Sequence, residues 1–424
     1  MEVGKQEPKY GVLVLDWIIV NICHQARRFD LGRSSLAVAI LFVSACASEP
    51  PRNPVPYEHI NSADVVGMPG VRVWGDELSE VLHLDLVHSM QNEKPGLFPR
   101  GPDGAFQYSG LSLSGGGDHG AFGAGFLKGW SASGSRPTFK IVSGISTGAL
   151  IAPLALLGSE YDDNLEAAFT TVSATDIYKT KSILRAYWRE SLADNHPLEE
   201  LVHKFISDDV IDAVAQAHLN GQRLLIGTTN FDTQRPVIWN MGIVANGRRP
   251  QAYEMFRKIL VASASIPALF PPVLIDVVSD GALYEEMHVD GGTVGQMFFY
   301  GAAIKWRKVL SDASGVDNPD DQSTLFLIVD GDVDPEYQQV RRRLIPITNR
   351  TISTLIKVSA WSALYRMYLH AQAAGYEFQF VGLPDDYESE SNHPYDQAEM
   401  TRMFDIGYEM GRSDKGWRST PPDF

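Results

Sequence analysis

Short apolar runs recur along the chain at lengths that suit β-strands. FQYSGLSLS (106–114), FKIVSG (139–144), RLLIGTTN (the 222–230 region), VIWN (237–240), LFLIVD (325–330) and EFQFVG (377–382) are the clearest. Unbroken apolar character, as in LFLIV, predicts a strand covered on both faces. Between these runs the apolar positions fall at helical spacing. LIAPLALLG follows the second run, 197–221 reads as a helix ending on Gly221, and 352–375 reads as a longer helix closing on Gly375. The stretches 312–323 and 387–397 are polar and read as solvated loops, the acids of the second as wet surface. Strands alternating with helices predict an α/β domain with a largely parallel sheet covered on both sides. No internal repeat is visible.

The chain has 424 residues, with 36 Lys+Arg against 52 Asp+Glu for a net charge of −16. That acidity excludes a nucleic-acid binder, which needs a basic face for phosphates. Apolar residues at 44% and charged residues at 21% are globular proportions. The two cysteines, Cys23 and Cys46, exclude a disulfide scaffold or a cysteine-rich zinc site.

The amino-terminal region follows a different logic. LAVAILFVSA (36–45) is apolar, follows Arg27, Arg28 and Arg33, and ends in small residues before Cys46. At ten residues it is too short to span a bilayer, which takes about 20, and it has the layout of a secretory signal. VSAC resembles a bacterial lipobox, which implies that Cys46 is lipidated and becomes the first residue after cleavage. ASEPPRNPVP then reads as a Pro-rich tether. A second apolar stretch, GVLVLDWIIVNI (11–22), precedes the arginines, so either the basic region is unusually long or translation starts downstream of Met1. The expected organisation is a signal region (1–45), a lipidated tether (46–60) and one catalytic domain (61–424, core about 106–411). The acidity then belongs to the exported body, and contact with lipid falls to the anchor and to local apolar surface.

Two glycine motifs carry candidate chemistry. Ser114-Gly115-Gly116-Gly117-Asp118-His119-Gly120 follows a predicted strand and precedes the small-residue run AFGAGFLKGW. A glycine turn there aims free backbone N–H groups at negative charge. Gly144-Ile145-Ser146-Thr147-Gly148, again between strand and helix, has the form of a nucleophile elbow that lifts a serine hydroxyl above a sheet. Together they describe acyl transfer: Ser146 attacks a carbonyl and the N–H groups of Gly115, Gly116 and Gly117 hold the oxyanion. Gly115-x-Gly117-x-x-Gly120 also matches a dinucleotide fingerprint, but that site needs an acid about 20 residues on. After Asp118 the next acid is Glu160.

A serine needs a base. His370, inside a predicted helix, and His393, in the acidic loop, are the downstream histidines that a Ser-His-Asp arrangement would use. Asp290, in His288-Val289-Asp290-Gly291-Gly292, is the other candidate. An aspartate with an ordinary pKa of ~3.9 is a weak base unless a dry site raises it.

SGGGDHGAFGAG, GISTG and VDGG, in this order and spacing, resemble the patatin-like phospholipases. ASASIPALFPPV (262–273) and LIGTTNFDTQRPVIWNMG (225–242) resemble further segments of that family. The resemblance implies a three-layer α/β/α fold with a mainly parallel central sheet and a Ser-Asp dyad without a catalytic histidine. Ser146 is then the nucleophile, Asp290 the proton acceptor and Gly115 to Gly117 the oxyanion hole, with Gly120, Gly144, Gly148, Gly291 and Gly292 completing the motifs. His119 stands where the family often has Arg or Lys, which weakens any expectation of fixed positive charge beside a phosphate. The implied substrate is a lipid ester, phospholipid foremost, with no cofactor and no metal, since no metal-cluster or Ca-loop pattern appears. ALFPPVLI (268–275) is a candidate acyl-pocket segment. The anchor implies an enzyme held on a bacterial envelope membrane. Two other readings compete: an α/β-hydrolase esterase with a histidine, and a lipid-binding lipoprotein without activity.

Overall fold

The apolar runs pair side by side into one ten-stranded sheet. In this computed structural model the described residues are 52–422 apart from 102, 178, 181–190, 192, 332–336, 338 and 392. The predicted signal region, Cys46 and the start of the tether lie outside them. The strands are β1 (Asp64–Val65), β2 (Arg72–Trp74), β3 (Ser109–Leu113), β4 (Phe139–Ile145), β5 (Arg223–Asn230), β6 (Arg235–Asn240), β7 (Val273–Ser279), β8 (Ala282–Asp290), β9 (Thr324–Val329) and β10 (Glu377–Gly382). Five neighbours, β5-β4-β3-β9-β10, run parallel and form the predicted core of the sheet. Antiparallel strands extend it beyond β5: β8, β7 and β1 along one path, β6 and β2 along another.

Alternate residues of the parallel strands face opposite layers, as a strand's two-residue period requires. Leu111, Leu113, Val142, Leu224, Ile226 and Ile328 join one hydrophobic cluster; Ile141, Leu225, Leu325, Leu327 and Val329 join the other. The first layer is built from α2 (Gly120–Ser133), α3 (Thr147–Leu157), α4 (Asp162–Thr170), α5 (His196–Phe205), α6 (Asp208–Leu219), α7 (Gln251–Ser263) and α10 (Gln397–Arg412). The second holds α1 (Glu80–Gln91), α8 (Trp306–Ser314) and the carboxyl half of α9 (Leu344–Ala374). This is the expected three-layer α/β/α arrangement.

Helices α2 and α10 touch backbone to backbone. A Cβ added at Gly125 or Gly129 would lie 2.0 Å from the carbonyl oxygen of Phe404 or Tyr408, and one at Gly407 or Gly411 would lie 2.2 Å from that of Phe122 or Phe126. Only glycine permits that approach, and α2 carries the end of the glycine-rich loop.

Four predictions need correction. The segment 197–221 is two helices, because Ser207 caps a new one: its side chain accepts from Val210 N–H, and Asp208 and Asp209 suit the helix amino end. The second helix ends at Leu219, and Gly221 terminates it as predicted, at φ +95° with its N–H donating to the His218 carbonyl and Gln222 N–H to that of Ala217. Residues 312–314 finish α8, which Gly315 terminates in the left-handed conformation at φ +69°. Helix α9 starts at Leu344 rather than near 352. The hairpin β7–β8, which delivers Asp290, was not among the predicted strands. Its signal is the Asp280-Gly281 turn, both residues at positive φ, between alternating runs.

Candidate active site

Register brings the separate motifs to one edge of the sheet. Leu113, Gly144, Ile226 and Ile328 are level with one another across β3, β4, β5 and β9. The glycine-rich loop and the serine turn therefore leave the same edge. Ile145 pairs with Gly227, and the next residue of β5, Thr228, pairs with Asp290. Asp290 thus arrives level with Ser146 from two strands away.

Ser146 sits in the turn at φ +54° and ψ −125°, a strained conformation for a residue with a side chain. The fold holds it there. Its N–H donates to Ser263 Oγ at 3.0 Å, and Ser263 Oγ donates to the Gly227 carbonyl at 2.7 Å. A Cβ at Gly144 would lie 2.3 Å from the Gly148 carbonyl oxygen, and one at Gly148 2.5 Å from that of Leu113. Gly120 and Gly291 are equally confined: a Cβ would come within 2.6 Å of Thr147 Cγ2 and of the Gly227 carbonyl oxygen.

Ser146 Oγ donates to Asp290 Oδ2 at 2.6 Å, and Gly292 N–H donates to Asp290 Oδ1 at 2.7 Å. Backbone bonds fix the aspartate: its N–H donates to the Ser265 carbonyl, and Thr229 Oγ1 donates to its carbonyl at 3.0 Å. Burial pushes the Asp290 carboxyl up to about 6, against the hydrogen bonds from Ser146 and Gly292, which lower it. The result is a carboxylate ionised at neutral pH yet basic enough to accept a hydroxyl proton.

The glycine loop divides its N–H groups. Gly115 N–H donates to the Gln296 carbonyl at 2.9 Å, so it is already occupied. Gly116 and Gly117 have no backbone or side-chain acceptor among the described residues. Gly117 lies at φ +62°, and its carbonyl accepts from Thr147 Oγ1 at 2.9 Å, which ties the loop to the serine turn. Gln296 is buried and its Nε2 donates to the Gly292 carbonyl at 3.0 Å, joining the glycine loop to the aspartate loop.

From Ser146 a narrow apolar cavity of about 90 Å³ runs into the first helical layer, past Leu150, Leu154, Phe169, Val202 and Phe270. Phe270 belongs to the predicted pocket segment 268–275, whereas Ile275 of that segment is plain core. Tyr395 and Met400 close the cavity near Gly117. Tyr395 N–H donates to Asp118 Oδ2 at 2.8 Å, so the 387–397 loop folds over the glycine loop. Of its acids, Glu388 and Glu390 are exposed as expected, while Asp396 caps α10 by accepting from Glu399 N–H. A second cavity of about 600 Å³ is lined by Ile145, Gly227, Gly291, Arg366 and His370; Ser146 does not line it.

Neither histidine candidate meets the pair. His370 packs its ring on Tyr300 at 5.2 Å between centroids, and His393 is exposed. His119 ends the loop with its N–H donating to the Gly116 carbonyl at 3.2 Å. Sequence reasoning missed Ser263, Gln296, Thr147, Thr229 and Tyr395, whose roles come from partners remote in the chain.

A serine in contact with a buried carboxylate, at the head of an apolar slot on an α/β/α sheet, is an arrangement suited to ester hydrolysis. Residues 111–303 match the family model of the patatin-like phospholipases, and this part of the chain is a patatin-like domain. Among solved structures the chain is similar to VipD from Legionella pneumophila, at 12% identity over 76% of this chain and 70% of that one, with a TM-score of 0.36. It is also similar to the type III effector protein ExoU, at 11% identity over 72% of this chain and 52% of that one, with a TM-score of 0.29. ExoU of Pseudomonas aeruginosa in complex with SpcU gives 12% identity, 74% and 52% coverage, and a TM-score of 0.27. The chain thus spans about half the length of ExoU. No curated protein matches it.

Proposed function

We propose that the protein hydrolyses acyl esters of lipids, phospholipids foremost, through a Ser146–Asp290 dyad. The observation that carries this reading is the 2.6 Å hydrogen bond from Ser146 Oγ to Asp290 Oδ2 at the head of the apolar cavity. Ser146 Oγ attacks the ester carbonyl carbon as its proton passes to Asp290. The carbonyl oxygen becomes an oxyanion, held by the N–H groups of Gly116 and Gly117; Gly115 supports the loop through Gln296. One such donor is worth about 10²–10³ in turnover. The intermediate collapses, the C–O bond to the alcohol breaks, and protonated Asp290 returns its proton to the leaving oxygen. Water then attacks the acyl-serine as its proton passes to Asp290; the bond from the acyl carbon to Ser146 Oγ breaks, Asp290 returns the proton to Oγ, and a free fatty acid leaves with the dyad restored. The acyl chain lies along Leu150, Leu154 and Phe270. No step calls for a metal or cofactor.

We further propose that Cys46 is the acylated first residue of the exported protein and anchors it to a bacterial envelope membrane. The apolar run before it and the Pro-rich stretch after it support that reading. The test of the activity is fatty-acid release from phospholipid vesicles and from a soluble short-chain ester. Ser146→Ala is expected to lower both by at least about 10³-fold with folding intact. Near-parental release by that variant would end the proposal.

A further inference from the structure

Helix α9 is longer than the sheet it packs on. Ala363, Leu364, Met367, Ala371 and Ala374 are buried in the second layer. Leu344 to Ser359 make no such contact: nearly every described side chain there is exposed or half-exposed, and Ala360 is the first buried one. At 1.5 Å per residue this part extends about 24 Å. The chain enters α9 after the carboxyl end of β9 and leaves it to begin β10, which runs parallel to β9. The amino half of α9 therefore projects from the carboxyl edge of the sheet, the edge that carries the glycine loop and Ser146.

The projecting half is amphipathic in an unusual sense. Leu344, Ile347, Leu355 and Val358 fall on one face at spacings of three, eight and three, with Ile352 and Ile356 on its flank. Leu344 is 82% exposed and Leu355 64%, and the other four are exposed as well. A soluble surface rarely leaves so much contiguous apolar area to water without a partner. Arg350 and Lys357 fall on the opposite face, and Arg341, Arg342 and Arg343, all exposed, stand immediately before the helix. From Tyr337 to Tyr376 the chain has no Asp or Glu, although the whole carries −16. Apolar groups on one face, cations on the other and at the end, and local exclusion of acids are the marks of a helix that lies in a membrane interface.

We infer that the amino half of α9 docks on an anionic lipid bilayer, with Leu344, Ile347, Leu355 and Val358 entering the acyl boundary and Arg341, Arg342 and Arg343 meeting the headgroups. Docking there brings the Ser146 edge of the sheet toward the bilayer. A second copy of the chain is the other occupant of an apolar face, and the experiment separates the two.

The test labels the helix itself. Thr348, between the apolar positions, is changed to Cys in the full chain with Cys23→Ser and Cys46→Ser, and carries an environment-sensitive nitrobenzoxadiazole dye. Phosphatidylglycerol-containing vesicles should shift its emission to the blue, and pure phosphatidylcholine vesicles should do so only at far higher lipid. Arg341→Gln, Arg342→Gln and Arg343→Gln together should weaken the response about a hundredfold. Ile347→Gln, Leu355→Gln and Val358→Gln together should abolish it and leave soluble-ester hydrolysis unchanged. Ser146→Ala should keep the response, so docking and hydrolysis are read separately. No shift on anionic vesicles overturns the inference, and so does an equal shift on neutral ones. A blue-shifted emission without lipid, whether or not it depends on protein concentration, means that the protein covers this face itself and also overturns it.

Discussion

The base of the dyad has a measurable signature, because its environment sets where it titrates. Asp290 is buried between β5 and the Gly291 turn, and burial raises its carboxyl to about 6. A base must be unprotonated in the free enzyme, so kcat/KM should rise with pH through that value and level off above it. At pH 5 about one-tenth of the enzyme carries the carboxylate, and at pH 7 about nine-tenths, so kcat/KM should differ by about tenfold between them. An aspartate at its ordinary ~3.9 would already be over 90% ionised at pH 5 and give a change of about a tenth. The assay is kcat/KM on a soluble short-chain ester from pH 4.5 to 8, followed by acid release. A histidine base would titrate in the same range, so the profile is repeated in His370→Ala and His393→Ala, both of which should reproduce it. A flat profile, or one that disappears in either histidine variant, would refute the reasoning.

Three further outcomes follow from the packing. Gly407→Ala places a methyl 2.2 Å from the Phe122 carbonyl oxygen; overpacking of about 3 kcal/mol should outweigh the ~1 kcal/mol gain in helix propensity and lower the urea midpoint. Asp330, directly after β9 beneath the glycine loop, is fully buried; its carboxyl oxygens have no hydrogen-bond partner among the described residues, although Gly123 N–H faces them, and burial pushes the carboxyl well up so that it stays protonated. Because its folded pKa is raised, the native state loses stability as pH climbs above the unfolded value near 4, by about 1.4 kcal/mol per unit until the folded value is reached. Asp330→Asn should therefore stabilise the fold at pH 7.5 and change little at pH 4, as read by urea unfolding at both. Phe270→Trp should narrow the cavity behind Ser146 and lower kcat/KM for long acyl chains at least tenfold more than for acetyl or butyryl esters, in a chain-length series.

The parts of this molecule legible in sequence were those whose reasons are local. LFLIV announces a doubly covered strand by its own composition, and Gly144 and Gly148 announce a turn by the contacts a strand-to-helix reversal must make. Gly375 ends α9 at φ +81° as its position suggested. What was not legible depends on partners far along the chain. Gly115 was expected to hold the oxyanion, yet Gln296, from the loop after Asp290, takes its N–H. Tyr395 lay in a segment read as solvated loop, and its place at the cavity comes from Asp118, 277 residues away. The paired glycines of α2 and α10 have meaning only once the helices meet. The hairpin behind Asp290 is a different case: Asp280-Gly281 was a readable turn signal, and the alternation around it is what strand pairing then used.

Ser146 and Asp290 acting as a pair is the central claim, and the turnover of Asp290→Asn tests it most directly. The variant keeps the shape of the side chain and loses the base. Ester-hydrolysis kinetics on the parent, Asp290→Asn and Ser146→Ala, with folding checked by circular dichroism, should show both variants reduced by about 10³-fold or more. Near-parental turnover by folded Asp290→Asn would contradict the account.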